Sequence, residues 1–388
     1  MKKQVFQQFF KGLKGTSFQV IYWDRSTEIF GEGIAKFKLI FQEQVSLVKF
    51  IKEPVLSFSE GYMNGLIDIE GELEDVIQAA NLNQSVFWTR ALSRWAKLPS
   101  MLKQKENVKH HYDVGNAFYS LWLDPSMSYS CAYFKTPDDT LEQAQLQKID
   151  HILRKLQLKS GETLLDIGCG WGGLIIRAAQ KYGVKAKGIT LSEEQFKKVK
   201  ERIVEQGLQG QVEVELIDYR ELAAATPSAF DKVASVGMFE HVGKANFPHF
   251  MKAVKLLLKP QGLALLHSIT HPTEQKTDAF IEKYIFPGGY IPSLREIVAL
   301  LPDYDFHPTD IESLRIHYAL TLDHWADAYE ANVGQVREMY GERFVRMWRL
   351  YLRASAAAFR QEGINLHQIV FTKGLNNHLA LTRGPLYN

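Results

Sequence analysis

The stretch Thr163-Leu164-Leu165-Asp166-Ile167-Gly168-Cys169-Gly170-Trp171-Gly172-Gly173 decides the fold. A short apolar run holding Asp166 passes directly into a glycine cluster, and Leu174-Ile175-Ile176-Arg177-Ala178-Ala179 then takes up helical spacing. Residues 168–173 thus match G-x-G-x-x-G in a strand-turn-helix context, where glycines let the backbone approach a ligand closely. Working outward, strand and helix patterns alternate. ETLLDI (162–167), VKAKGIT (184–190), VEVELID (212–218), FDKVASVG (230–237) and GLALLHSI (262–269) read as strands. Helical stretches such as LIIRAAQKYG, EQFKKVKERIVEQG and FPHFMKAVKLLLKP separate them. That alternation implies a doubly wound α/β fold, a parallel sheet with helices on both faces. DIESLRI (310–316) and HQIVFTKG (367–374) bracket long helical segments and would add strands at one sheet edge.

Upstream, FQVIYW (18–23), AKFKLIF (35–41) and LIDIEG (66–71) read as short strands among glycines, a small α+β N-terminal domain over residues 1–95. Residues 96–106, polar and basic with Pro99, Lys97, Lys103 and Lys105, read as a linker after Arg94. Residues 107–388 then read as one larger α/β domain. In the start, MKKQVFQQFFKGLKG, Val5, Phe6, Phe9, Phe10 and Leu13 recur at helical spacing among Lys2, Lys3, Lys11 and Lys14. This suits either a helix lying on a membrane surface or one docked on the protein's own core. Gln7 and Gln8 break the apolar core an export signal needs.

The 388 residues carry 46 basic and 44 acidic side chains, a net charge of +2 that gives nucleic-acid binding no support. Hydrophobic residues at 46% exclude a disordered chain, and no run reaches the roughly 18 apolar residues of a spanning helix. Cys131 and Cys169, the 2 cysteines, are too few for a disulfide framework and fit a reducing, cytoplasmic compartment. His110 and His111 are adjacent, so their side chains diverge, and no metal site is expected.

A glycine turn of this kind serves dinucleotides and S-adenosylmethionine alike. A dinucleotide fold would place a carboxylate at the end of the second strand, about 20 residues on. Gly188-Ile189-Thr190-Leu191-Ser192 stands there instead, which argues against NAD. Every candidate also falls beyond a strand's carboxyl end, where open α/β sheets bind ligands: Gly168 and Gly170, Thr190 and Leu191, Asp218 and Tyr219, Glu240, and His267. Taken singly, His267 also reads as a core histidine and Cys131 as a small buried hydrophobe.

LLDIGCGWGG resembles motif I of the class I S-adenosylmethionine-dependent methyltransferases, with their Rossmann-like sheet. Further blocks narrow the resemblance: HHYDVGNAFYSLWLD (110–124), YSCAYF (129–134), GITLSEEQ (188–195), MFEHVG (238–243), LLHSIT (265–270) and HYALTLDHW (317–325). Together they are similar to the cyclopropane-fatty-acid and mycolic-acid cyclopropane synthase family, and the N-terminal unit resembles the lipid-associating domain of its phospholipid-acting branch. The resemblance implies cofactor contacts from Tyr129, Ser130, Asp166, Gly168, Gly170, Thr190, Leu191, Gln195, Asp218 and Tyr219. It also implies a catalytic set of Glu240, His267, Tyr318, Cys131 and the Ile269 backbone N–H, holding a bicarbonate ion as proton acceptor.

The activity implied by that resemblance is methylene transfer to the cis double bond of phospholipid acyl chains, by a homodimer peripherally bound to the inner face of the membrane. The intermediate carbocation calls for a dry tunnel with aromatic faces. Tyr112, Phe118, Tyr129, Tyr133, Phe239 and Tyr318 are candidates. Ala354-Ser355 stands where some family members carry a cysteine, so a covalent route through that position is closed. Arg343, Arg346, Arg349 and Arg353 form a basic helical stripe, suited either to anionic headgroups or to a solvated face.

Overall fold

The computed structural model describes residues 2–81, 83, 115–361 and 363–387. The basic linker with Arg94, Lys97, Lys103 and Lys105, the His110-His111 pair and Tyr112 lie outside the described residues. The chain forms two compact units.

The first unit takes the N-terminal segment together with Asp278–Ile285 and Leu322–Gly363. The chain therefore returns twice to this unit after residue 107, where the sequence suggested one continuous catalytic domain. Its four-stranded sheet has the order β2-β1-β3-β4, from β1 (Phe18–Ile21), β2 (Thr27–Phe30), β3 (Phe37–Phe41) and β4 (Ile67–Glu70). β2 escapes the sequence reading because Thr27-Glu28-Ile29-Phe30 buries a single residue fully, so its alternation is faint. The helix Lys2–Lys11 turns Phe6 and Phe10 inward among Phe18, Phe30, Phe41 and Phe50. Its apolar face is thus spent on the unit's own core, which corrects the membrane-surface alternative for that face.

The arginine stripe on the helix Glu342–Gln361 is likewise engaged within this unit. Arg343 donates to Asn64 Oδ1, Arg346 pairs with Asp68 at 2.6 Å, Arg349 with Glu330 at 2.5 Å and Arg353 with Asp327 at 2.7 Å. Neither a row of waiting headgroup ligands nor a merely solvated face describes it.

The second unit is built on a seven-stranded sheet of order β10-β11-β9-β8-β5-β6-β7. Its strands are β5 (Thr163–Ile167), β6 (Lys185–Thr190), β7 (Val212–Leu216), β8 (Phe230–Val236), β9 (Leu258–Thr270), β10 (Phe306–Ser313) and β11 (Asn365–Lys373). β5 to β9 pair in parallel; β11 is antiparallel to β9 and β10 to β11. The chain starts at β5, builds outward to β7, then crosses to β8 and β9. That reversal opens a crevice at the carboxyl ends of β5 and β8.

One apolar cluster covers each face, Phe239, Phe250, Met251 and Leu257 on one side and Ile152, Leu153, Ile175 and Val199 on the other. The doubly wound class I methyltransferase sheet and the small α+β N-terminal region are both as the sequence reads. Among the described residues no helix is long and apolar enough to cross a membrane.

Candidate active site

Beyond the β5 and β8 ends lies a cavity of about 150 Å³. β5 hands over to the turn at Gly168, held by N–H bonds from Gly168 and Cys169 to the Ile189 carbonyl, both 3.0 Å. Gly168 sits at φ +84°, and a Cβ there would come within 2.7 Å of the Met238 side chain, so only glycine fits. The helix Gly173–Tyr182 follows, so its N-terminal end faces the turn. Thr190, ending β6, donates to Gln195 Oε1 at 2.8 Å, while Ser192 caps the next helix by accepting from Gln195 N–H.

All ten residues the resemblance assigned to the cofactor line this one cavity: Tyr129, Ser130, Asp166, Gly168, Gly170, Thr190, Leu191, Gln195, Asp218 and Tyr219. Asp218 has a second occupation, because its carboxylate caps the helix Tyr219–Ala225 and takes the Arg220 guanidinium at 2.7 Å. Burial pushes the Tyr219 hydroxyl up to about 12, and no hydrogen-bond partner satisfies it. Asp166 is buried with an unpartnered Oδ1, and burial lifts its carboxyl to about 7 against the pull of Lys148.

Several cavity residues were not singled out from the sequence, although some stand in the block quoted at 238–243. Lys148 and Ile149 reach the cavity from the helix Leu141–Lys155, and Met238, His241 and Val242 from the turn after β8. Asn116 accepts from Trp171 Nε1 at 2.7 Å, fixing the glycine turn, and Tyr119 packs between Trp171 and Tyr129 at ring distances of 5.3 and 5.4 Å. Asn116 and Tyr119 stand in the block quoted at 110–124, which was the one signal that could have placed them.

The residues that the resemblance assigned to acid-base chemistry sit apart from that lining. Glu240 lies in the short turn Phe239–His241 after β8 and accepts from the Ile269 N–H at 2.6 Å through Oε1. Its Oε2 is buried without a partner, and burial lifts the carboxyl to about 7, opposed by the Ile269 N–H and Ser268. His267, on the same face of β9 as Ile269, receives Gln368 Nε2 at Nδ1 over 3.2 Å, and its Nε2 is buried without a partner. Burial, then the charges of Lys148, Lys155 and His151, drive its pKa far down, so the ring is neutral.

Cys131 is wholly buried and its thiol donates to Ala132 O at 3.2 Å; burial raises its pKa, so it is no thiolate. The Leu314 carbonyl accepts the Tyr318 N–H at 3.2 Å and lies 3.9 Å from Cys131 Sγ, so these two residues share an anchor. Contact thus joins Glu240 to Ile269, whereas Cys131 and Tyr318 are linked through the Leu314 carbonyl. Of the aromatic candidates among the described residues, only Tyr129 lines the cavity. Phe118 and Phe239 are core residues, and Tyr133 is stacked between His151 and His317 at 4.4 and 4.8 Å.

Comparison with known proteins agrees with this geometry. The family model for mycolic acid cyclopropane synthetase matches residues 100–369, and a model for a domain of unknown function matches residues 5–91. A probable fatty acid methyltransferase of Pseudomonas putida is 39% identical over 91% of this chain and 94% of its own length. The cyclopropane-fatty-acyl-phospholipid synthase of Escherichia coli (strain K12) is 40% identical over 86% of this chain and 87% of its own. The crystal structure of mycolic acid cyclopropane synthase CmaA1 complexed with SAH and CTAB superposes with a TM-score of 0.65 at 37% identity, covering 69% of this chain and 98% of that one. With the glycine turn, the cavity and these matches in agreement, the chain belongs to the mycolic acid cyclopropane synthetase family of S-adenosylmethionine-dependent methyltransferases.

Proposed function

We propose that the enzyme transfers a methylene group from S-adenosylmethionine to the cis double bond of unsaturated phospholipid acyl chains, as a cyclopropane-fatty-acyl-phospholipid synthase. The observation that carries this reading is the buried Glu240–Ile269–His267 group beside the cofactor cavity, with two unsatisfied polar atoms, Glu240 Oε2 and His267 Nε2. An ordinary methyl transfer to a heteroatom has no use for it. S-adenosylmethionine supplies an electrophilic methyl group. When the alkene carbon takes that methyl, the carbon–sulfur bond breaks, a carbocation forms on the chain, and one proton of the added methyl must leave for the ring to close.

A buried Glu and a neutral His with open acceptor and donor capacity fit a small oxyanion. Glu240, His267, Cys131 and Tyr318 would hold bicarbonate, which supplies a proton acceptor there, with the Ile269 N–H joining them once it exchanges Glu240 Oε1 for the ion. A carboxyl lifted to about 7 tolerates a neighbouring anion because it can keep its own proton. The phospholipid substrate and a peripheral position on the membrane's inner face rest on the 40% identical relative named a phospholipid synthase and on the N-terminal unit. A homodimer rests on family resemblance alone.

The test is incubation with vesicles of cis-monounsaturated phospholipid and isotopically labelled S-adenosylmethionine, then mass spectrometry of the released chains. The reading requires a gain of one methylene with loss of the alkene, at a rate that falls when bicarbonate is purged. A methyl-branched chain that keeps its alkene would assign the activity instead to fatty acid methylation, the alternative that the Pseudomonas putida relative's name favours.

A further inference from the structure

The helix Leu141–Lys155 carries a buried polar stripe, Gln145, Lys148, His151 and Lys155, where helical spacing would accommodate an apolar core face. Burying a lysine cation costs free energy unless its hydrogen bonds and charge are met, so a lysine kept there needs a reason. Lys148, 4% exposed, donates to Ser130 Oγ at 2.9 Å, and Gln145 Nε2, one turn earlier, donates to the Ser130 carbonyl at 2.9 Å. Two side chains of one helix therefore grip the segment carrying Tyr129, Ser130 and Cys131. Asp124 fixes the start of the segment by accepting the N–H groups of Ser126 and Ser128 at 2.8 and 3.1 Å.

Lys148 also lines the cavity, the single lysine or arginine among the described residues that do so, alongside the carboxylates of Asp166 and Asp218. The charged and titratable groups around it are Asp124, Cys131 and Asp166, with His267 feeling its field from β9. Burial lowers its pKa to about 8, against the opposing pull of Asp124, Cys131 and Asp166. The ammonium is thus charged at neutral pH but close to releasing its proton.

We propose that Lys148 is a positioning residue for S-adenosylmethionine, holding the Ser130 hydroxyl and balancing the Asp166 carboxylate so that both are fixed against one cavity. This rests on reading Ser130 and Asp166 as cofactor residues. With Lys148 neutral or absent, the Tyr129–Ser130 segment loses a charged hydrogen bond and Asp166 loses its counter-charge.

The test is Lys148→Met and Lys148→Gln, checked for folding by circular dichroism and read by calorimetry with S-adenosylhomocysteine. Either folded variant should bind about tenfold more weakly at pH 7, the equivalent of one charged hydrogen bond. KM for S-adenosylmethionine should rise by a similar factor, with KM for lipid vesicles within about twofold of wild type. Wild-type affinity should also carry a loss with an apparent pKa of about 8 between pH 7 and 9 that is missing from Lys148→Gln, where the ligand's amine and the Asp166 carboxyl are what titrates. Wild-type affinity in a folded variant, or parallel pH profiles, overturns the proposal. Should neither variant fold, Ser130→Ala decides: unchanged affinity removes the route through Ser130. Wild-type protein that does not bind S-adenosylhomocysteine would instead sink the reading of the cavity itself.

Discussion

The cavity proposed for the cofactor and the proposed acid-base group beside it are built on opposite plans. The residues proposed for the cofactor come from the turns that end β5, β6 and β7, placed by turn and cap geometry, and from the segment at 126–130, which Gln145 and Lys148 hold from the helix Leu141–Lys155. Glu240 and Ile269 instead place one another where a turn after β8 meets the end of β9, and β11 orients His267 through Gln368. One half is open enough to take a ligand. The other is dry, and its dryness is what shifts the Glu240 carboxyl up and the His267 imidazole down. The lesson is that binding here uses backbone and capping geometry, whereas the proposed proton removal uses desolvation, which only packing supplies.

The sharpest way to break that division is Glu240→Gln. It should lower turnover by about 100-fold or more, the usual scale of a lost acid-base group, while S-adenosylhomocysteine affinity measured by calorimetry stays within about twofold. A parallel loss of affinity would show that the two halves are not separable. Gly168→Ala tests the converse. A left-handed residue with its Cβ at 2.7 Å from Met238 should cost about 2–4 kcal/mol, seen as weakened cofactor binding and a lower Tm. Gly170→Ala, at φ +53° with open space around the added carbon, should cost only about 1 kcal/mol in the same assays.

A third experiment addresses the charges that bear on His267. Lys155 pairs with Glu312 at 2.6 Å and Asp310 at 3.0 Å, and His151 with Glu312 at 2.6 Å. Burial works against the Glu312 carboxylate, but His151 and Lys155 hold it down at about 2. Because its folded pKa lies below the unfolded value, its contribution is complete above about pH 4.3 and is lost as pH falls toward 2. Glu312→Gln should therefore destabilise the fold by about 3 kcal/mol at pH 7, and its Tm should lose less than that of wild type on acidification. The smallest effect belongs to Arg353→Gln. Its partner Asp327 is 70% exposed, so the change should cost under about 1 kcal/mol in chemical denaturation and leave vesicle co-sedimentation unchanged. A marked loss of vesicle binding would return the arginine stripe to the membrane.

Much of the molecule was legible in the chain. TLLDIGCGWGG fixes strand, turn and helix within eleven consecutive residues, because glycine turns and apolar runs are local features with local causes. The alternation of β5 to β9 with helices followed the same logic. β2 was missed because its strand is mostly exposed, and Lys148 because a lone lysine on a helix ordinarily faces water. The Lys2–Lys11 helix shows the limit from the other side. Its apolar spacing declared a buried face but not what would bury it, since the same row of side chains suits lipid as well as it suits Phe18 and Phe41.

By itself, then, the sequence determined the sheet order's raw material, the glycine turn and the residue types of the proposed acid-base group. Tertiary structure alone decided that Glu240 meets the Ile269 N–H, that the arginines of Glu342–Gln361 answer acids and carbonyls of their own unit, and that Lys148 is buried against Ser130. The physical reason is range. Turn geometry and helical periodicity act over a few residues, whereas desolvation and ion pairing depend on groups brought together from distant parts of the chain, 29 residues apart for Glu240 and Ile269 and 278 for Asp68 and Arg346.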